Sequence, residues 1–251
     1  MENNREQTGS IICGRNPVLE AVRSGREIDR LLVAHGVSGG SVTAIIAKCK
    51  AKGILIKEIS PQKLDYYCGG ANHQGVAVMI ASQEYSTPEE ILELAKERNE
   101  KPFIIICDEI EDPHNLGAII RSAEACGAHG IIIPKRRSAS LNATVAKSAS
   151  GALEYMKVAR VTNIANTIDY LKENGIWVFG ADMDGDDYTK VDFDTPCALV
   201  IGNEGSGIGT LTAKKCDGII SLPMCGKINS LNASVAAGVL MYEVVRKRRP
   251  Q

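Results

Sequence analysis

The chain has 251 residues, 44% hydrophobic and 24% charged, with 29 lysines and arginines against 30 aspartates and glutamates. Such a composition suits a folded globular protein, and a net charge of −1 argues against a surface that coats nucleic acid along its whole length. The length accommodates one large domain or two small ones.

Residues 1–10 are polar and lack the apolar core of a signal peptide, and no apolar run approaches membrane-spanning length. Eight cysteines are scattered without a C-x-x-C pair, and Cys107 and Cys197 fall inside apolar runs. That pattern predicts reduced, mostly buried thiols in a cytoplasmic protein. Strands are expected at Ile11–Cys13, Leu31–Ala34, Ile54–Ile59 and Val76–Ile80. Helices are expected at Asn16–Ser24, stopping near Gly25, at Ser41–Lys52, stopping at Gly53, and at Pro61–Tyr67. These make a small α/β domain over residues 1–82, with ten basic and seven acidic residues. Residues 83–99 read as a linker and a leading helix, whose start carries Thr87 as N-cap, Pro88 at the first position and Glu90 three residues after the cap.

From residue 100 to 251 the alternation resumes. Phe103–Asp108, Gly130–Ile133, Tyr155–Val161, Ile176–Gly180, Ala198–Ile201 and Ile219–Leu222 are apolar runs fit for buried parallel strands. Helices are predicted at Asn115–Cys126, Asn142–Ser150 and Thr162–Asn174, with Asn115 as an N-cap and Arg121 six residues on, off its face. The last helix, from Ala233 to Val245, carries no charge except Glu243, with Asn232 or Ser230 as its N-cap. A helix this apolar is buried in the core or at a subunit interface. Basic clusters at Lys135–Arg137 and Arg246–Arg249 are candidate RNA contacts or simply solvated loop and helix ends.

The glycines from Gly202 to Gly209 fail both familiar nucleotide tests. Thr210 breaks the dinucleotide fingerprint, and Ile208 follows where a P-loop needs lysine. What remains is either a plain turn or a loop offering backbone groups to a close ligand. Glu204 is its only carboxylate. Asp108 and Asp112 lie at a strand end and loop, and the four histidines have no metal-ligand spacing, His114 being nearest the other candidates.

Three ordered stretches, DEIEDPHNLGAIIRSAEACG (108–127), ALVIGNEGSGI (198–208) and NSLNASVAAGV (229–239), resemble the motifs of the SpoU (TrmH-like) ribose methyltransferases of the SPOUT class. GRNPVLEAV (14–22) and HQGVAV (73–78) resemble the accessory domain of the bacterial branch acting on a guanosine of 23S ribosomal RNA. The resemblance implies an α/β fold with a deep C-terminal trefoil knot, a ribosomal-protein-like RNA-binding domain at residues 1–82, and a homodimer. It implies S-adenosylmethionine held by Gly202, Leu222 and Leu231, with Gly180–Asp182 nearby, and no metal at Asp108 and Asp112. It implies Arg121, Asn115, Glu204, Ser230 and Asn232 as the reacting site, on structured RNA rather than DNA. Alternatives are a transfer-RNA ribose methyltransferase and a non-catalytic RNA-binding or ribosome-assembly factor. The intact polar set argues against the latter, and the failed glycine tests against a nucleotide-dependent oxidoreductase.

Overall fold

The computed structural model describes residues 11–24, 26–80 and 84–249. The polar residues 1–10, the helix stop expected at Gly25 and the 82/83 boundary lie outside the described residues. The chain divides into two compact units, Met1–Glu84 with Ser140–Thr144, and Tyr85–Ala139 with Val145–Gln251.

In the first unit β1 (Ile11–Cys13), α1 (Arg15–Arg23), β2 (Ile28–Ala34), α2 (Gly40–Ala51), β3 (Leu55–Ile59), α3 (Pro61–Cys68) and β4 (Val76–Ile80) form a four-stranded sheet in the order β1-β4-β2-β3. β2 and β3 run parallel, while β4 is antiparallel to both β1 and β2. Alternation decides the layers. Leu31 and Val33 of β2 pack with Val18, Val22, Val42 and Ile45 of α1 and α2, and Leu32 and Ala34 pack on the other side with Leu64 and Cys68 of α3. α3 starts as its sequence dictates, with the Ser60 side chain accepting from the Lys63 amide and Pro61 at the first position.

From residue 85 on, the elements are α4 (Pro88–Glu97), β5 (Phe103–Cys107), α5 (Pro113–Ala125), β6 (Gly130–Pro134), α6 (Ala143–Ala149), β7 (Lys157–Val161), α7 (Ile164–Glu173), β8 (Trp177–Asp187), β9 (Cys197–Ile201), α8 (Thr210–Lys215), β10 (Gly218–Ser221) and α9 (Ala233–Arg248). The capping box expected at Thr87 and Glu90 is present. Six strands pair in the order β10-β8-β9-β5-β6-β7, every pair parallel. From β5 the chain winds outward through β6 and β7, then crosses to β8, β9 and β10 on the other side. The carboxyl ends of β5 and β9 therefore flank a topological switch point, where open α/β sheets place their ligands.

Two expectations are corrected. Asn115 is not the N-cap of α5: Asp112 is, its carboxylate accepting from the His114 amide at 3.0 Å with Pro113 at the first position. A carboxylate followed by proline starts the helix two residues earlier and frees the Asn115 side chain. β8 is also longer than Ile176–Gly180 and runs to Asp187. Its pairing to β10 breaks after Gly180 and resumes at Asp186, so residues 181–185 bulge out of that register. A four-aspartate run hides a strand from any reading based on apolar periodicity. Gly185 is required where the bulge returns, since a side chain there would meet the backbone of Ile219 and Ile220 at 2.6 Å. The short helix α8 is a further addition to the expected elements.

The basic run ending α9 is largely engaged within the chain. Arg246 forms two bonds to the buried Glu243, at 2.6 and 2.7 Å, which hold that carboxyl below its usual range. Arg248 donates to the carbonyls of Lys101, Pro102, Phe193 and Thr195 and lies over the Phe103 ring. In the other basic cluster, Arg137 pairs with Glu109 at 2.9 Å.

His129, buried just before β6, accepts from the Phe103 amide through Nδ1 at 3.0 Å, leaving the ring proton on Nε2 to meet Glu100 at 3.0 Å. Burial lowers its pKa, against the opposing pull of Glu100. The unfolded chain therefore binds the proton more readily. The stability this imidazole contributes is complete above its ordinary value of about 6.5 and declines as pH falls below it, through the lowered folded value. Melting temperatures taken between about pH 7.5 and 5 should fall more steeply for the wild type than for His129→Gln. Parallel curves would assign the acid sensitivity elsewhere.

Candidate active site

Four segments meet at the carboxyl edge of the sheet: the β5–α5 connection, the bulge in β8, the glycine loop after β9, and the loop between β10 and α9. The first and third are tied together, since Asp108, buried after β5, accepts from the Gly209 amide at 2.9 Å and donates its own amide to the Ile201 carbonyl at 2.8 Å. Asp108 and Asp112 thus have separate structural roles, the second capping α5.

The glycine loop is a compact hairpin. Asn203 and Gly207 exchange two backbone hydrogen bonds at 3.0 and 2.8 Å, the Asn203 side chain accepts from the Gly205 amide, and its amide donates to the Glu109 carbonyl. Gly207 sits at φ +66°, and a side chain on Gly202 would lie 2.3 Å from the Gly207 carbonyl carbon. These two glycines are demanded by geometry. Gly202→Ala is expected to destabilise the protein by about 1–3 kcal/mol, as overpacking against rigid backbone does. It should also abolish ligand binding at this loop. Melting temperature and calorimetry check both effects, and an unchanged melting point would show that the hairpin opens at little cost.

The hairpin presents Glu204 to the start of α9. Its Oε1 accepts from Asn115 Nδ2 at 3.0 Å, from the Ala233 amide at 3.3 Å, and from Asn232 Nδ2. Asn232 Nδ2 also donates to Asn115 Oδ1 at 2.9 Å, and its own Oδ1 caps α9 by accepting from the amides of Ser234 and Val235. Of the two expected caps, Asn232 holds the position. Three residues far apart in the chain thus share one hydrogen-bonded cluster, with Asn115 buried.

Beside the cluster lies a cavity of about 450 Å³, within the range of small-molecule sites. Gly202, Leu222, Leu231, Ser230 and Glu204 all line it, together with Asp182 of the bulge. Arg121 is not on its wall. It lies exposed on α5, donating to Ser150 Oγ at 3.3 Å, about 9 Å along the helix from Asn115. His114 bonds Ser148 at 3.2 Å through Nδ1. The sequence reading missed Asp184, which also lines the cavity, and the part Asn203 plays in shaping the hairpin. An asparagine directly before the loop carboxylate was the available signal for the second.

Residues 102–242 match the model of the SpoU rRNA Methylase family, and residues 11–86 match that of the RNA 2′-O ribose methyltransferase substrate-binding domain. A Bacillus subtilis protein assigned to the TrmH family of tRNA/rRNA methyltransferases is 49% identical over 245 residues, 97% of this chain and 98% of that one. The SpoU methyltransferase AviRb of Streptomyces viridochromogenes, crystallised with S-adenosylmethionine, superposes with a TM-score of 0.61 at 27% identity, over 95% of this chain and 90% of its own. An rRNA methyltransferase of Sinorhizobium meliloti, also bound to S-adenosylmethionine, gives 0.60 at 26% identity, over 96% of this chain and 88% of its own. On sequence, fold and domain pairing alike, the chain belongs to the SpoU (TrmH) family of RNA methyltransferases.

Proposed function

We propose that the protein methylates the ribose 2′-hydroxyl of a guanosine in 23S ribosomal RNA, acting in the cytoplasm as a homodimer. The activity at the coarser level, S-adenosylmethionine-dependent RNA ribose 2′-O-methylation, is that of its family. The observation that carries the reading here is the Asn115–Glu204–Asn232 cluster, whose Glu204 reaches the wall of the cavity beside it. The residues fit the cofactor: Ile220, Leu222, Leu231 and Leu240 supply apolar walls, with the glycine hairpin and Ser230 alongside them. Gly202, Leu222 and Leu231 would hold it, in loops that a deep C-terminal trefoil knot would gather. S-adenosylmethionine, when bound, supplies an activated methyl group on a positively charged sulfur.

The chain must then handle a weakly acidic hydroxyl, removing its proton and stabilising the charge that develops on oxygen. Glu204 is held through Oε1, and its Oε2 has no partner among the described residues, leaving that oxygen to receive the proton. Asn232 and Ser230 orient the ribose. Arg121 offers a planar, positively charged fork and serves as a phosphate clamp and electrostatic stabiliser. Its position away from the cavity favours a site completed across the dimer. Val235, Val239 and Tyr242 form an exposed apolar stripe on α9 at 51%, 40% and 54% accessibility, suited to cover that interface. A fully active monomer in sedimentation would exclude the dimer as a requirement.

Residues 1–82 are assigned to RNA selection, 83–99 to the linker and leading helix, and 100–251 to chemistry. Deleting the first segment should weaken RNA binding strongly while leaving cofactor affinity within a few-fold. Unchanged RNA affinity would count against the assignment. Ribosomal RNA is favoured over transfer RNA because the matching Sinorhizobium rRNA enzyme spans both units of this chain. Mapping ribose methylation in ribosomal and transfer RNA from cells with and without the protein tests the choice, and a lost transfer-RNA mark would reverse it.

A further inference from the structure

The bulge in β8 places Asp182 and Asp184 on the cavity wall, and with Glu204 they make three carboxylates around it. Among the described residues, neither Asp182 nor Asp184 has a hydrogen-bond or ion-pair partner, and no lysine, arginine or histidine lines the cavity. The Asp182 carboxylate lies beside the glycine hairpin, with Oδ2 3.1 Å from where a side chain on Gly207 would begin. A protein gains nothing in stability from gathering unpaired like charges about a hollow. Asp182 is half-buried and Asp184 exposed, and a ligand that brings positive charge would be favoured beside them.

We infer that Asp182, supported by Asp184, is a specificity residue that makes the cavity prefer the charged cofactor to the product it becomes. This rests on the cofactor reading above. S-adenosylmethionine carries a sulfonium, an ammonium and a carboxylate. S-adenosylhomocysteine keeps the last two and loses the first, because the S–CH3 electron pair stays on sulfur when the methyl passes to the ribose oxygen and the hydroxyl proton leaves. The two ligands therefore differ by one positive charge and one methyl group. A wall with three carboxylates and no cation attracts the first more than the second. Spent product is then held less tightly than fresh cofactor.

Calorimetry on the full-length protein with each ligand, at low and at high salt, tests the inference. Asp182→Asn should lose about tenfold in affinity for S-adenosylmethionine and stay within about twofold for S-adenosylhomocysteine, the scale expected of one partly screened charge pair. Equal losses for both ligands would mean that Asp182 meets a group they share, and would overturn the inference, as would no loss for either. Should Asp182→Asn fail to fold, the wild type still decides: salt must weaken S-adenosylmethionine binding more than that of the product, and equal salt dependence refutes the charge argument. A wild type that binds neither ligand would overturn the cofactor reading instead.

Discussion

Arg121→Ala is expected to lower the single-turnover rate at saturating RNA by at least about a hundredfold, the scale of losing one donor aimed at a developing oxyanion. Arg121 contributes little to the folded chain itself. It is exposed, its hydrogen-bond partner is the Ser150 hydroxyl at 3.3 Å, and it carries no buried packing. Its removal should barely change the melting temperature, so a large kinetic loss could not be attributed to unfolding. Arg121→Lys should recover little, because a point charge cannot reproduce the planar fork. A role confined to gripping phosphate predicts weaker RNA binding with a normal rate once RNA saturates. A normal saturated rate in Arg121→Ala would defeat the assignment.

Arg248→Ala should have the opposite profile, a large loss of stability with no direct effect on chemistry. The guanidinium bonds four carbonyls, those of Lys101 and Pro102 leading into β5 and those of Phe193 and Thr195 before β9, at 2.6 to 3.1 Å. Removing it loses charge-assisted bonds and leaves partly buried acceptors unpaired, for about 3 kcal/mol. In a chain of this size that corresponds to roughly 6–12 °C in melting temperature. Lys247→Ala, which loses one bond to the Thr189 carbonyl at 3.3 Å, is the matched control and should change little. Equal melting temperatures for the two variants would show that the Arg248 bonds are replaced by water at no cost.

Much of this molecule could be read from its residues because local and long-range preferences agree. The strands β5, β6 and β9 are continuous apolar runs in a sheet covered on both faces, and the cap at Thr87 announces its helix by side-chain chemistry alone. The reading failed where tertiary contact overrode the local pattern. Asn115 looked like a cap because asparagines often are, yet Asp112-Pro113 competes better for the start of α5, and the amide is used 89 residues away on Glu204. The extension of β8 was invisible because its aspartates alternate with nothing apolar enough to mark a buried face. The charges of Arg246 and Arg248 looked available to RNA because sequence does not reveal which carbonyls a guanidinium will find.

The strand order has a consequence for how the protein is made. β5 is built early in the second unit and pairs on one side with β6, but its other edge waits for β9, which follows three intervening strands. The Arg248 clasp and the Asn232 amide come later still. A nascent chain that has emerged only as far as β7 therefore exposes an open, wholly apolar strand edge, the feature most prone to pairing with another chain. Ribosome-stalled chains ending before β9 should be sensitive to protease and associate with chaperones. Chains that have released α9 should become resistant and able to bind cofactor in a single step.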